Sequence, residues 1–438
     1  MRPGSSEILH IDINDSADAP VRIVSNEALE DEKTVETVAQ GEHFQGGHSV
    51  RVLAILTVLM AFASISTNLY LPALPTMAQA LHANAGSLEL TISGFLGGFS
   101  VGQLAWGPAG DRYGRRSPIA VGLVLFVIGS VGCALSTNVG MIIGFRVVQG
   151  AGACAGVVLA RAIVRDLYAG PRAAQAMSML MSVMAAVPLL GPSVGSFILH
   201  LSSWRAIFWI LAGVGVMTLA SLRLLPETLP KERRNRDPVV YAFAAYGELL
   251  RHSRLLGYAG AGGFFYGGLY AFIAGAPFAY MTYYHVSPQA FGLLFGVSVI
   301  GIVLTNQLNS RLIPLVGSDR LMQLGTVVAA LSGVSLAVTA WTKIGGLAGL
   351  VVPLFVFASM AGFIVANSIA GALNTYVSRA GAVSALVGSV QYGTGIFGSA
   401  LVGIFANGTP KPLGVVIALM AVGSAISGVA LVRTRPSP

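Results

Sequence analysis

The sequence predicts an all-α integral membrane protein, with twelve transmembrane helices in two six-helix bundles. Three observations carry that reading. Only 10% of the 438 residues are charged and 54% are hydrophobic, whereas an average soluble domain is about 25% charged. The apolar residues fall in blocks of roughly 20, the length that crosses a bilayer core as a helix. The bases collect in alternate connections between those blocks, the asymmetry that orients spanning segments. With no water in the bilayer core each backbone amide must be satisfied internally, so helices are the expected element. The 54 glycines fit close helix packing in lipid.

Residues 1–49 hold ten of the 18 acids and three bases, Arg2, Arg22 and Lys33, and lack the layout of a secretory signal. They read as a disordered acidic cytoplasmic tail. Six spans follow near 50–71, 87–108, 117–136, 139–162, 174–199 and 205–225, making an N-terminal bundle over 50–225. A basic linker, 226–256, carries Lys231, Arg233, Arg234 and Arg236, and part of Tyr241–Leu250 suits an interfacial helix. The C-terminal bundle, 257–432, has spans near 257–281, 289–311, 320–341, 346–370, 382–406 and 413–432, before a short tail at 433–438.

Arg112, Arg115, Arg116, Arg165, Arg172, the linker, Arg311, Arg320, Arg379, Arg433 and Arg435 fall on one side. Arg205, Lys343 and Lys411 fall on the other. Both termini and the linker are therefore expected in the cytoplasm. The same distribution argues against a nucleic-acid face, despite a formal charge of +8. Cys133 and Cys154 sit inside apolar blocks and read as small buried hydrophobes. His43, His48, His200, His252 and His285 lack zinc spacing. No Walker loop is present. The chain is thus expected to be no enzyme, with no catalytic residue, metal or cofactor.

Gly107, Asp111, Arg112, Gly114, Arg115 and Arg116 follow the pattern Gly-x-x-x-Asp-Arg-x-Gly-Arg-Arg. They resemble the cytoplasmic signature between helices 2 and 3 of major facilitator superfamily transporters. The resemblance implies a gate, in which Asp111 latches to the start of span 11 and Arg115 pairs with Asp166 at the end of span 4. Asn309-Ser310-Arg311 and Gly317-Ser318-Asp319-Arg320 form a faint echo in the second half. Arg146, Gln149 and Gly150 match the superfamily's Arg-x-x-Gln-Gly, where the arginine takes part in proton handling. An arginine inside a span faces a cavity or a partner, or else snorkels to the interface. Gly191, Pro192 and Gly195 resemble the antiporter signature of span 5, although a packing kink asks for the same residues.

Local stretches are similar to the bicyclomycin-resistance (Bcr/CflA) branch of drug:H⁺ antiporters: Tyr70–Pro75, Arg161–Tyr168, Trp204–Trp209, Pro226–Pro230 and Ser287–Gly292. The similarity extends over residues 50–432. Three positions depart from it. Asn68 stands where the branch usually has an aspartate, and Glu89 where it often has glutamine. Glu89 is therefore the candidate for the titrating role, against the alternative of a water-exposed carboxylate at a helix end. Ala366-Asn367 replaces Pro-Asn in span 10, and the lost proline is expected to stiffen that helix. Tyr266 and Tyr270 share one helical face. With Tyr70, Phe278, Asn306, Asn367 and Gln391 they are candidates to line an aromatic, sparsely polar cavity.

The resulting expectation is a bacterial inner-membrane multidrug efflux transporter, exchanging small amphipathic substrates for protons by alternating access. Its partners are substrate, protons and the lipid bilayer, with no nucleic acid, and it works as a monomer. The alternative is a metabolite uptake symporter or uniporter of the same superfamily.

Overall fold

Helix is the only regular structure among the described residues of the computed structural model, which are 46–168, 170–234, 246–376 and 380–432. The expected acidic tail up to residue 45, Arg236, Arg379 and the tail at 433–438 lie outside them. Met1–Val50 and Arg51–Pro438 form separate units. Of the first, residues 46–50 are described and are helical.

In the first half, α1 (Gly46–Asn68) is followed by a 3-10 turn at Leu71–Ala73 and α2 (Leu74–Ala80). Then come α3 (Ala85–Tyr113), α4 (Arg116–Leu135), α5 (Val139–Leu167), α6 (Gly170–Leu201) and α7 (Trp204–Ser221). In the second half, α8 (Ser253–Pro277) runs into a π-helical turn at Phe278–Tyr283. After it come α9 (Pro288–Val316), α10 (Ser318–Thr342), α11 (Gly346–Ser359), α12 (Ala361–Thr375), α13 (Ala380–Ile404) and α14 (Lys411–Ile426).

Local chemistry sets the ends. Asn84 and Asn138 accept from the backbone amides of Ser87 (2.7 Å) and Met141 (2.9 Å), capping α3 and α5. Ser287 caps α9 in the same way. Gly114 and Gly317 both stop their helices at φ 87°, a conformation that side chains disfavour. Each follows a 29-residue helix, α3 and α9. The echo in the sequence is therefore matched by a repeated turn geometry.

Ten segments among the described residues are long and apolar enough to cross a membrane. Neither α3 nor the whole of α6 is among them, although Ala186–Leu201 forms a shorter apolar helix. These two helices have the same position in the fold. The halves of the chain meet mainly where α3 packs on α13 and α6 packs on α9. A helix buried between protein surfaces presents less of itself to lipid and tolerates small and polar residues.

Two local expectations are corrected. The Gly107–Arg116 stretch is not a loop. Helix α3 continues to Tyr113 with Pro108 inside it, leaving Gly114 and Arg115 as the turn. Span 10, expected as one helix over 346–370, is divided at Met360 into α11 and α12, while α12 is unbroken around Ala366. Thr305 Oγ1 donates to the Ser359 carbonyl, and Gly362 admits the backbone of α9 at Asn306. A side chain inserted into the helix ladder bends the helix without a proline.

Glycines fix the tightest crossing. A Cβ on Gly150 would meet the Phe95 carbonyl oxygen, and one on Gly98 the Val147 carbonyl oxygen, so α3 and α5 touch backbone to backbone. Gly144, on the same helix as Gly150, has open space around it. Gly150→Ala is expected to cost about 1–3 kcal/mol, and Gly144→Ala to be neutral or to stabilise by up to about 1 kcal/mol. Thermal unfolding of the detergent-solubilised protein reads the difference. Equal effects would contradict the close approach.

Candidate functional site

A hollow of about 190 Å³ lies between the halves, walled by α1, α6, α8, α9 and α13. From α1 it receives Asn68, which is 4% exposed. Asn68 Nδ2 donates to the Ser64 carbonyl at 2.8 Å, while its Oδ1 is buried without a partner. From the other half come Tyr266, Tyr270 and Tyr392, with ring centroids 5.6–6.0 Å apart. Among the described residues no hydrogen bond uses their hydroxyls, so the wall is aromatic with free polar tips.

The Gly191-Pro192-x-x-Gly195 segment buttresses this wall. A Cβ on Gly191 would come within 2.9 Å of the Asn68 Cβ, and one on Gly195 would meet the Leu69 carbonyl. Helix α6 thus lies against the elbow that presents Asn68. Its other side meets α9, where Ser196 Oγ donates to the Pro288 carbonyl at 3.0 Å and Gly292 faces Ser193.

Arg146 is completely buried. Its guanidinium lies 4.5 Å from the Tyr70 ring centroid and 4.4 Å from that of Phe95. It donates to the Ser66 carbonyl at 2.9 Å and to Gln149 Oε1 at 2.7 Å. Gln149 in turn donates to Ser130 Oγ at 2.7 Å. No carboxylate pairs with Arg146 among the described residues. Stacking and carbonyl dipoles hold its charge instead.

Glu89 is 3% exposed, which excludes the water-exposed alternative. It borders a separate space of about 60 Å³ with Phe278, Thr282, Tyr283 and Asn407, and its Oε2 has no partner. The α3–α13 contact runs alongside. Gly86 lies against Gly403, Ser93 Oγ is 2.8 Å from Ser399 Oγ, and Ser100 Oγ donates to the Ser389 carbonyl at 3.0 Å.

The charged residues at the end of α3 form a clasp. Arg115 Nε donates to Asp166 Oδ2 at 2.8 Å, and Arg115 Nη1 to Asp111 Oδ1 at 2.6 Å. Burial alone would lower the guanidinium's pKa, but the bonds to Asp166 and Asp111 outweigh it and raise it above its ordinary value. Asp111 is thereby engaged by Arg115. The latch was expected at the start of span 11, near residue 382; among the described residues no hydrogen bond joins Asp111 to that stretch of α13, and residues 377–379 just before it lie outside them. Arg112 stacks near Tyr113 at 5.6 Å, and Arg116 begins α4.

Sequence reasoning missed Glu227. Its carboxylate accepts from the backbone amides of Arg115 (2.8 Å) and Arg116 (3.2 Å), an anion at the start of α4. Arg234 lies 3.8 Å from it, and Thr228 Oγ1 donates to Asp166 at 3.0 Å. Pro226–Pro230 had been noted only as a resemblance, and no local pattern announces a cap supplied from 112 residues away. In the second half Asp319 follows the Gly317 turn. It accepts from Tyr258 Oη at 2.7 Å and pairs with Arg254 at 3.2 Å.

The candidate lining residues separate. Tyr266 and Tyr270 border the hollow, as does the unforeseen Tyr392. Tyr70 packs on Arg146 and bonds Thr91 Oγ1 at 3.1 Å. Phe278 borders the Glu89 space. Asn367 is 1% exposed and donates to Asn309 Oδ1 at 2.7 Å. Gln391 is buried against Gly262, and Asn306 is exposed on α9. These last five do not border the hollow; Tyr70, Asn367 and Gln391 serve interhelical packing instead.

A helical chain with ten membrane-length segments among its described residues and a hollow between its halves has the build of a transporter. The family model described as Major Facilitator Superfamily matches residues 56–399, and the chain belongs to that superfamily. It is a multi-pass membrane transporter, not an enzyme. An uncharacterized MFS-type transporter, YdgK, from Bacillus subtilis is 33% identical over 393 residues, covering 89% of this chain and 97% of that relative. The bicyclomycin resistance protein homolog of Haemophilus influenzae is 31% identical over 373 residues, covering 83% and 91%. In fold, the chain is similar to the partially occluded inward open form of the xylose transporter XylE from E. coli. The TM-score is 0.68 at 15% identity, over 87% of this chain and 97% of that one.

Removing the Glu227 charge tests the clasp. Glu227→Gln is expected to lower stability by about 1 kcal/mol through the lost helix-start anion. Thermal unfolding in detergent checks it, and an unchanged midpoint would rule the cap out.

Proposed function

We propose that the chain exports small amphipathic compounds across the bacterial inner membrane in exchange for protons. Two six-helix bundles, residues 50–225 and 257–432, with twelve spans in all, rock about the hollow. The linker and both termini lie in the cytoplasm. The observation that carries the reading is the hollow itself, placed between the halves with three tyrosines and an unsatisfied Asn68 oxygen facing into it. Apolar and aromatic walls with a few polar groups suit amphipathic ligands. Similarity to the Haemophilus relative, a bicyclomycin resistance protein homolog, supports export and the drug:H⁺ antiporter branch.

The α6–α9 contacts at Ser193–Ser196 and Pro288–Gly292 lie on the face away from the clasp. Closure there supports an inward-facing state. Asp111, Arg112, Arg115, Arg116 and Asp166, with Gly107 and Gly114, are the gate residues of the cytoplasmic face. Arg146 acts through position. By holding the Ser66 carbonyl it fixes the elbow two residues before Asn68, and Gln149 and Gly150 hold it there. Glu89 takes the proton. An ionised carboxylate is costly to bury unpaired, so a neutral Glu89 favours the closed outer contact and an ionised one favours its opening.

Drug-susceptibility profiling in a pump-deficient host tests export. Expression is expected to raise resistance to bicyclomycin or other amphipathic drugs, and a protonophore to abolish the gain. Resistance unchanged across the panel would contradict efflux. In everted vesicles Glu89→Gln is expected to cut proton-driven transport at least about tenfold, equivalent to about 1.4 kcal/mol. Unaltered transport would remove Glu89 from coupling.

A further inference from the structure

Helices α4 and α7 touch near Gly215, where an added Cβ would meet Val127 and Phe126. From that contact to the clasp end a groove of about 720 Å³ runs between them, lined by Arg116, Ser117, Ala120, Val216, Leu219 and Arg223 among others. The mechanism above does not use this groove. Arg116 opens α4, and Arg223 lies in the 3-10 turn Leu222–Leu224 that follows α7, so both cations stand at one end of it.

Among the described residues neither guanidinium takes part in a salt bridge or hydrogen bond, and no carboxylate lines the groove. The nearby acids have other partners or lie off it. Asp111 and Asp166 hold Arg115. Glu227 turns its oxygens to the backbone amides of Arg115 and Arg116 and lies 3.8 Å from Arg234. Glu232 is exposed on the Lys231–Arg233 turn and does not border the groove. Glu248 has a contact away from it, and Asp319 pairs with Arg254. Asp237 lies outside the described residues.

Beyond the arginines the groove is apolar and open sideways. Val216 is 52% exposed, and Val124, on the same face of α4 as Arg116 and Ala120, is 43% exposed. Less than half of the most apolar stretch of α7 is buried. Such faces on membrane-length helices meet acyl chains. Two cations at the mouth of an apolar groove between spanning helices match a phospholipid from head to tail. The guanidinium forks donate to phosphate oxygens, and a chain lies along the valines. A zwitterionic headgroup brings its own cation, which two unpaired guanidiniums repel. An anionic headgroup brings none.

We propose that Arg116 and Arg223 form a site for the phosphate of an anionic phospholipid whose acyl chain lies in the α4–α7 groove. The bound lipid bridges the start of α4 to the end of α7, beside the Glu227 cap. The site is independent of what the hollow carries.

Native mass spectrometry of the purified full chain in detergent tests this. The probes are dioleoyl phosphatidylglycerol, dioleoyl phosphatidylethanolamine and inorganic phosphate. Phosphatidylglycerol is expected to bind at least about tenfold tighter than phosphatidylethanolamine, and Arg223→Gln to weaken it about tenfold. Lys231→Gln removes one charge from the linker, off the groove, and is expected to leave binding unchanged. Thermal unfolding gives a second reading. Phosphatidylglycerol should raise the midpoint of the natural protein and not that of Arg223→Gln, while the lipid-free midpoints agree because Arg223 is exposed. Equal binding of the two lipids, Arg223→Gln without effect, or equal losses in Arg223→Gln and Lys231→Gln would overturn the site. Displacement of phosphatidylglycerol by millimolar inorganic phosphate would overturn the lipid as its occupant.

Discussion

The constraint on which the rest depends is that the two halves touch along surfaces of small side chains. On α3 and α13 these are Gly86, Ser93, Ser100, Gly403, Ser399 and Ser389. On α6 and α9 they are Ser193, Ser196 and Gly292. Small residues let backbones approach and exchange modest hydrogen bonds. Apart from Phe99 against Tyr392, such a contact has few deep knobs to extract, which lowers the cost of parting it. Within each half the reverse holds. Gly98 and Gly150 bring α3 and α5 backbone to backbone, a contact that resists sliding. Rigid halves on a re-packable seam are the mechanical requirement for rocking.

The chemistry is distributed around that seam. Glu89 is buried on the α3–α13 contact, so its protonation state bears on whether the contact closes. Asn68 stands at the end of α1, where α6 packs against it through Gly191. A ligand contacting Asn68 Oδ1 therefore touches a helix that also holds the α6–α9 contact. The clasp at the start of α4 gathers Arg115 among Asp111, Asp166 and the Glu227-capped helix. The Gly317 turn, with Asp319 held by Tyr258 and Arg254, repeats the arrangement in the second half.

Much of this architecture was legible. Hydropathy blocks and the Gly107–Arg116 pattern carry the helical class and the superfamily, because lipid and backbone constraints act on every residue of a span. The clasp pair Arg115 and Asp166 was legible through its motif. What lay beyond the sequence depends on which way a helix faces. Tyr392 was passed over for its neighbour Gln391, because helices packed on most sides carry no clear polar face to orient them. Glu227 was hidden by sequence distance. The break at Met360 escaped because its cause, Thr305, belongs to another helix. Arg146 was readable as a buried functional cation, but its sandwich between Tyr70 and Phe95 required coordinates.

The central claim is that the face away from the clasp opens as the clasp face closes, under the control of Glu89. Tyr283 is the other titratable group bordering the Glu89 space among the described residues. Spin labels at His200→Cys with Gln289→Cys report the far face, and labels at Ser117→Cys with Thr375→Cys report the clasp face. The native Cys133 and Cys154 are buried. Pulsed electron–electron distances in lipid nanodiscs, recorded as pH is raised, should show the His200–Gln289 pair lengthening while the Ser117–Thr375 pair shortens. Distances that stay fixed, or that lengthen together, would contradict the account.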